Sequence, residues 1–253
     1  MCGRFVSAAS LDQILGFFDV ERLAFDPDDY EPHYNVAPTM DVPTIAETPD
    51  RRVLGLMTWR YAPAHIASSG VSASRLTINA RSETAAQSGY FKSSLAKRRC
   101  LIPANGFYEW RRSGGSKIPY LFRPCDGGLF AFGAIWAPLA HDQIDEPRSG
   151  FAILTTRPNE LVAPIHDRMP VILPADLWDI WLDPEVDDAA FVQGLCVPLP
   201  AAFMTSVMVG RRVNDVRNDD AACLEPAPPD NGTDAETGQP SLANPALANP
   251  SLW

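Results

Sequence analysis

A cysteine occupies position 2, directly after Met1. Loss of Met1, which the small Cys2 side chain permits, would leave a free α-amine and a thiol on adjacent carbons. An α-amine titrates near 7.7–8, so about a tenth or more of it is neutral and nucleophilic at pH 7, where lysine is almost fully protonated. A neutral amine attacks an aldehyde to give an imine, and the neighbouring thiol can close on the imine carbon to form a five-membered thiazolidine. No internal cysteine has this chemistry. By position alone, a cysteine that merely follows Met1 is the plainer reading.

Three other stretches carry reactive side chains. In NGFYEW (105–110), Glu109 is flanked by Tyr108 and Trp110. Turned inward, its neutral form would be favoured, as a general acid near neutral pH requires; turned outward, it would simply be solvated. In PIHDRMP (164–170), His166 lies in a polar turn between apolar runs. It is a candidate acid or base tuned by Asp167 or Arg168, or only a hydrogen-bonded turn residue. In INARSET (78–84), Asn79 and Arg81 alternate on one strand face. An amide beside a guanidinium suits sugar and phosphate contacts, and equally a buried polar network.

These residues need elements to hold them. Ser10-x-x-Gln13 before ILGFF predicts a capping-box helix over 11–18. HYNVAPT (33–39) reads as a loop, and residues 53–61 as a buried strand. RLTINARSE predicts a strand entering a helix over 83–97, with Ser82 as cap. The middle of the chain is a series of short β-branched and aromatic runs, with SGG (113–115) as a hairpin turn between two of them. MPVIL predicts another strand, Pro174 a helix over PADLWDIWL, and Asp183 with Pro184 the start of one more. Strands and helices do not alternate regularly, so the class expected is α+β.

Composition narrows the partners. The formal charge is −10, which argues at first against nucleic acid. Yet residues 51–123 hold thirteen basic side chains against only Glu83 and Glu109, a local field able to guide a polyanion. Five scattered cysteines and four histidines form no C-x-x-C pair and no familiar zinc spacing, so neither a disulfide framework nor a metal site is expected. No apolar stretch approaches the roughly 20 residues of a membrane span, and the N-terminus lacks the features of a signal peptide. A cytoplasmic location follows as the default. Residues 227–253, rich in Pro, Ala, Asn and acid, with LANP twice, read as a flexible tail.

Taken in order, MCGRF, YNVAPT, NARSET, NGFYEW, IHDRMPVIL and VNDVRND (213–219) resemble the SRAP family, the SOS-response-associated peptidases or abasic-site processing proteins. The resemblance extends from Cys2 to about Pro226. It implies one domain over 1–226 with a strongly curved, branching mixed β-sheet and a barrel-like core flanked by helices. It also implies a monomer without cofactor or metal, associated with the nucleoid when bound to DNA. The substrate implied is single-stranded DNA containing abasic sites, captured through Cys2 as a thiazolidine crosslink after removal of Met1. On that resemblance Asn79 orients the opened sugar, Glu109 exchanges protons during imine formation and ring closure, and His166 stabilises the opened deoxyribose. Arg4, Arg81 and Arg168 become phosphate contacts, with Asn35 and Trp59 lining the site. Trp59-Arg60 departs from the family's usual Trp-Gly, which puts the local backbone in question.

Two readings from other classes remain open at this stage. N-terminal-nucleophile glutamine amidotransferases also begin Met-Cys-Gly, but here Arg-Phe follows and no glutaminase pattern appears downstream. A non-enzymatic single-stranded-DNA-binding module would use the basic segment and its aromatics without any preference for abasic DNA.

Overall fold

The computed structural model describes residues 2–48, 51–63, 77–139 and 148–228. Ser10 accepts from Gln13 N at 3.2 Å while Gln13 Oε1 accepts from Ser10 N at 2.9 Å, so the capping box is formed and helix α1 runs Leu11–Phe18. Ile14 and Phe18, one turn apart on its inner face, are fully buried.

The described strands form two sheets. One has the order β13 (Met204–Met208), β9 (Ser116–Pro124), β8 (Gly106–Ser113), β1 (Phe5–Ser7), β3 (His33–Val36). The other runs β12 (Met169–Pro170), β11 (Ser149–Thr156), β10 (Phe130–Pro138), β7 (Arg99–Ala104), β4 (Asp41–Thr48), β5 (Arg51–Thr58), β2 (Arg22–Leu23), with β6 (Asn79–Arg81) branching from β11. Gly150 of β11 also pairs with Thr58 of β5, which turns this second sheet back on itself. A Cβ at residue 150 would lie 2.0 Å from the Arg60 carbonyl oxygen, so the closure requires glycine there. The result is the expected mixed α+β fold, mostly sheet, curved and branched, with few helices.

The core collects in clusters. Ile14, Phe18, Trp178 and Trp181 belong to one, and Cys2, Phe5, Trp59, Phe107, Phe132 and Phe151 to another. Each fully buried aromatic or aliphatic side chain of this kind contributes about 1.5–3 kcal/mol over its exposed state. No helix among the described residues is long and apolar enough to cross a membrane.

Several local expectations are corrected. HYNVAPT begins as strand β3, because β1 pairs with it and Asp219 accepts from Tyr34 N and Asn35 N. The helix over 83–97 is two helices, α2 (Ser82–Ala85) and α3 (Lys92–Lys97). Tyr90 and Phe91, which both pack on Tyr61, lie in the turn between them. Ser82 is the first helical residue rather than the cap. Of MPVIL only Met169–Pro170 forms a strand, with a bridge at Ile172. After Pro174 a 3₁₀ turn, Ala175–Leu177, precedes helix α4 (Trp178–Leu182). Asp183 ends that helix instead of starting the next; α5 (Ala189–Gly194) is capped by Asp188, whose carboxylate accepts from Ala190 N and Phe191 N. The expected tail lies outside the described residues from 229 onward.

Candidate active site at the start of the chain

Phe5 faces Phe107 across β1 and β8, and Tyr108 N donates to Arg4 O at 3.1 Å, so the pairing continues toward the chain start. Cys2–Arg4 therefore run alongside Tyr108–Trp110. Cys2 is fully buried in the cluster of Phe5 and Trp59, with Sγ 3.8 Å from Arg4 O. Burial pushes its thiol far above the ordinary cysteine range, and the nearby Glu109 charge adds to this. The group is held as a thiol rather than a thiolate.

Asn79 reaches the same residue from β6. Its Nδ2 donates to Cys2 O at 2.7 Å. Two neighbours fix the strand there: Ile153 pairs with Asn79, and the Trp59 indole N–H donates to Ile78 O at 2.9 Å. Asn79 Oδ1 is buried and accepts no hydrogen bond among the described residues. A buried acceptor left open costs about 1–3 kcal/mol, which a substrate donor would recover.

Glu109 is 3% exposed, because both faces of β8 are covered over Gly106–Glu109. Burial raises its carboxyl to about 7, against a partial pull downward from the positive charge of the amino terminus. His166 comes from the loop between β11 and β12. Asn159 Oδ1 accepts from Leu161 N and Val162 N and shapes that loop, and His166 N donates to Val162 O at 3.0 Å. Arg168 N donates to His166 Nδ1 at 3.0 Å. The same Nδ1 also lies 3.2 Å from Arg168 O and 3.1 Å from Asp167 Oδ1, so this side of the ring is held by the His166–Arg168 turn and leaves Nε2 facing the site. That nitrogen lies 3.9 Å from Glu109 Oε2. Burial lowers the imidazole's pKa. The same environment thus raises the acid and lowers the base, favouring the neutral form of each.

An open cavity of about 440 Å³ meets Glu109, His166, Gly3 and Arg4. Trp110, Arg112, Lys117 and Asn214 also line it, and none of these four was singled out from the sequence. The two-residue SGG turn did contain a signal, because it fixes Ser113 opposite Ser116 and hence Arg112 opposite Lys117.

The residues expected to contact DNA fall into different settings. Arg4 lines the cavity, but its Nη1 donates to Asn35 Oδ1 at 2.6 Å and to Val213 O at 2.9 Å. Asn35 is fully buried, and its Nδ2 donates to the carbonyls of Val213, Asp215 and Asn218. It thereby fastens the VNDVRND segment beside Arg4. Trp59 is also fully buried, below the site and not at its surface. Arg168 makes a two-pronged pair with Glu83, at 2.8 Å for each prong, and donates to Thr155 O. Arg81 is exposed on β6, two residues beyond Asn79 and outside the cavity. The structure gathers Cys2, Asn79, Glu109 and His166, with Arg4 at their side; it does not bring Asn35, Trp59 or Arg81 into the cavity wall.

The family model described as SOS response associated peptidase (SRAP) matches residues 1–216. Abasic site processing protein YoaM of Bacillus subtilis is 35% identical over 226 residues, spanning 89% of this chain and 98% of that protein. Abasic site processing protein YedK of Escherichia coli is 31% identical over 232 residues, with 89% and 100% covered. Abasic site processing protein HMCES of Gallus gallus is 29% identical over 269 residues, with 89% and 78% covered. A crystal structure of a Bacteroides thetaiotaomicron protein shares the fold at a TM-score of 0.77 and 23% identity, over 90% of this chain and all (100%) of that one.

Proposed function

This chain belongs to the SRAP family, and on that premise we propose that it captures abasic sites in single-stranded DNA as a covalent thiazolidine on Cys2. The relatives just described are named abasic site processing proteins, and the substrate class is taken from them. One observation carries the reading: the thiol of the second residue is buried beside a carboxyl of pKa about 7, and that carboxyl shares an open cavity with the His166 imidazole, whose Nε2 is 3.9 Å away.

The reaction begins with hydrolysis of the Met1–Cys2 bond, which consumes one water and frees the Cys2 amine. The peptidase activity in the family's description corresponds to that hydrolysis. The neutral amine adds to the aldehyde carbon of the ring-opened sugar, and the resulting carbinolamine loses its hydroxyl as water to form an imine. Glu109 in its neutral form donates the proton that lets the hydroxyl depart. The Cys2 sulfur then adds to the imine carbon, its proton returning through Glu109 to the nitrogen, and the five-membered ring closes. The sum is aldehyde plus aminothiol giving thiazolidine plus one water. His166, with Nε2 on the Glu109 side, donates from its protonated form to the sugar oxygen exposed by ring opening. Asn79 holds the Cys2 carbonyl and offers its open Oδ1 to a sugar hydroxyl or to the new amine.

Intact-mass analysis after mixing the protein with abasic single-stranded DNA tests this reading. The expected result is a chain lacking Met1 and carrying one DNA strand less one water, with Cys2→Ala giving none. A wild-type chain that retains Met1 and forms no adduct sinks it. Glutaminase activity would point to the amidotransferase class, and binding indifferent both to the abasic site and to Cys2 would point to a simple DNA-binding module.

A further inference from the structure

Six cations among the described residues are each matched to an anion by an ion pair. Arg52 meets Asp179, Lys97 meets Asp187, Arg148 meets Asp41, Arg168 meets Glu83, Arg212 meets Asp220 and Arg217 meets Asp215. In a protein with 31 acidic residues and a net charge of −10 such matching is easily arranged. Arg112 and Lys117 are different. They stand directly opposite each other across β8 and β9. Both are exposed, and neither side chain makes an ion pair or hydrogen bond among the described residues. Like charges directly opposed on neighbouring strands repel and destabilise the pair. The turn that joins them holds them there: Gly114 and Gly115 take φ of +53° and +82°, the left-handed values a two-residue hairpin needs.

Their location gives this arrangement a use. Both line the cavity that contains Glu109 and His166. In the β1–β8 register, Cys2 lies alongside Trp110, so the hairpin from Arg112 onward projects past the Cys2 amine. The positive field of Arg112 is felt at His166, where it contributes to the lowered imidazole pKa. Strand alternation places Trp110, Arg112 and Lys117 on one face, an aromatic plane next to two cations. Arg4 and Arg168, by contrast, already spend hydrogen bonds on the protein itself.

We propose that Arg112 and Lys117 form an anion subsite that grips the backbone phosphate adjoining the captured sugar. A phosphodiester is the fitting ligand, since its two unesterified oxygens can accept from two facing cations and relieve their repulsion. The subsite rests on the Cys2 reading above and deepens it: it makes the chain select an aldehyde embedded in a nucleic-acid backbone over a free sugar aldehyde.

The test compares rates of adduct formation with two aldehydes, a short abasic single-stranded oligonucleotide and free 2-deoxyribose, across a series of salt concentrations. For Arg112→Gln/Lys117→Gln, the preference for the oligonucleotide should fall about tenfold at 0.15 M salt. The log–log salt slope for the oligonucleotide should become shallower by about 1.4, the value for two lost phosphate contacts on a single strand. The exchanged pair Arg112→Lys/Lys117→Arg keeps both charges and should retain most of the preference. A Gln variant with wild-type preference and slope overturns the subsite. So does an equal loss in the charge-keeping variant, which would assign the effect to the shape of the hairpin. Wild-type protein that forms no adduct with either aldehyde overturns the Cys2 reading instead.

Discussion

His166 Nε2 stands 3.9 Å from a carboxylate oxygen of Glu109, and the Arg168 backbone N–H at Nδ1, on the far side of the ring, helps to hold the imidazole facing that oxygen. The separation exceeds a hydrogen bond, yet a substrate oxygen beside the two groups could reach both. Burial favours the neutral form of each group, raising the Glu109 carboxyl to about 7 and lowering the imidazole, so the carboxyl can give or take a proton near neutrality. Condensation of an amine with an aldehyde needs both directions of transfer in turn.

The rate of adduct formation by Met1-free protein should therefore be bell-shaped in pH. It should rise as the amine, with an ordinary pKa of 7.7–8, loses its proton, and fall as Glu109 ionises above about 7. Single-turnover rates between about pH 5 and 9 would trace the curve. Glu109→Gln should lower the maximum by about 10²- to 10⁴-fold and remove the alkaline limb. An unchanged profile in that variant would end the acid–base role of Glu109.

The same carboxyl should leave a mark on stability. Its pKa is raised from 4.5 to about 7 by burial, so between those values the folded state holds a proton that the unfolded state has released. The associated stability is complete below about 4.5, declines as pH rises and is gone above about 7, a change on the order of 3 kcal/mol. Glu109→Gln lacks this term, so its advantage over wild type should grow between those limits and then level off. Urea unfolding at about pH 5 and pH 8 measures the difference. A variant that loses ground to wild type as pH rises contradicts the assignment.

Asp219 is the fastening point of the late segment. Its carboxylate accepts from Tyr34 N at 2.6 Å and Asn35 N at 2.8 Å, and meets His33 Nδ1 at 2.6 Å. Asp219→Ala leaves two backbone donors without acceptors and should cost about 3 kcal/mol in urea unfolding. Trypsin should also cut faster after Arg211, Arg212 and Arg217. A loss below about 0.5 kcal/mol, the scale of an ordinary surface change, would mean the segment is held elsewhere.

Arg168 separates two roles. Its guanidinium grips Glu83 while its backbone N–H fixes the imidazole, so it acts as a positioning residue for His166. Lysine cannot form the two-pronged contact. Arg168→Lys should slow adduct formation about tenfold, or about 1.4 kcal/mol in the barrier, without altering the salt dependence of DNA binding. A shallower salt slope with an unchanged chemical rate would make Arg168 a phosphate contact instead.

What could be read from the sequence was mainly local. The capping box of Ser10 and Gln13 and the hairpin at Gly114-Gly115 follow from neighbouring residues, and each is present, whereas the orientation of Glu109 was open until its burial decided it. The basic stretch over 51–123 was a weaker guide, because partners distant in sequence occupy it: Asp179 takes Arg52 and Asp187 takes Lys97. Arg99 is buried and directs its guanidinium to the Leu95, Ala96 and Trp181 carbonyls, tying α3 to α4. The setting of Asn35 was beyond local reading for the same reason. Its three acceptors lie at 213, 215 and 218, and nothing within HYNVAPT specifies them. The closure at Gly150 is likewise a relation between segments, visible only once Arg60 O lies against it.

The clasp of residues 213–219 around Asn35 and Arg4 also sets an order of events during synthesis. At about 5–20 residues per second, a ribosome takes roughly ten seconds to three-quarters of a minute to pass from the first residue to that segment. Once it has left the exit tunnel, the amino terminus spends the rest of that interval with its final wall not yet made. On the Cys2 reading, Met1 is then open to excision from outside. A chain that folds with Met1 still attached must instead free its amine from within the closed wall, by the hydrolysis that begins the proposed reaction.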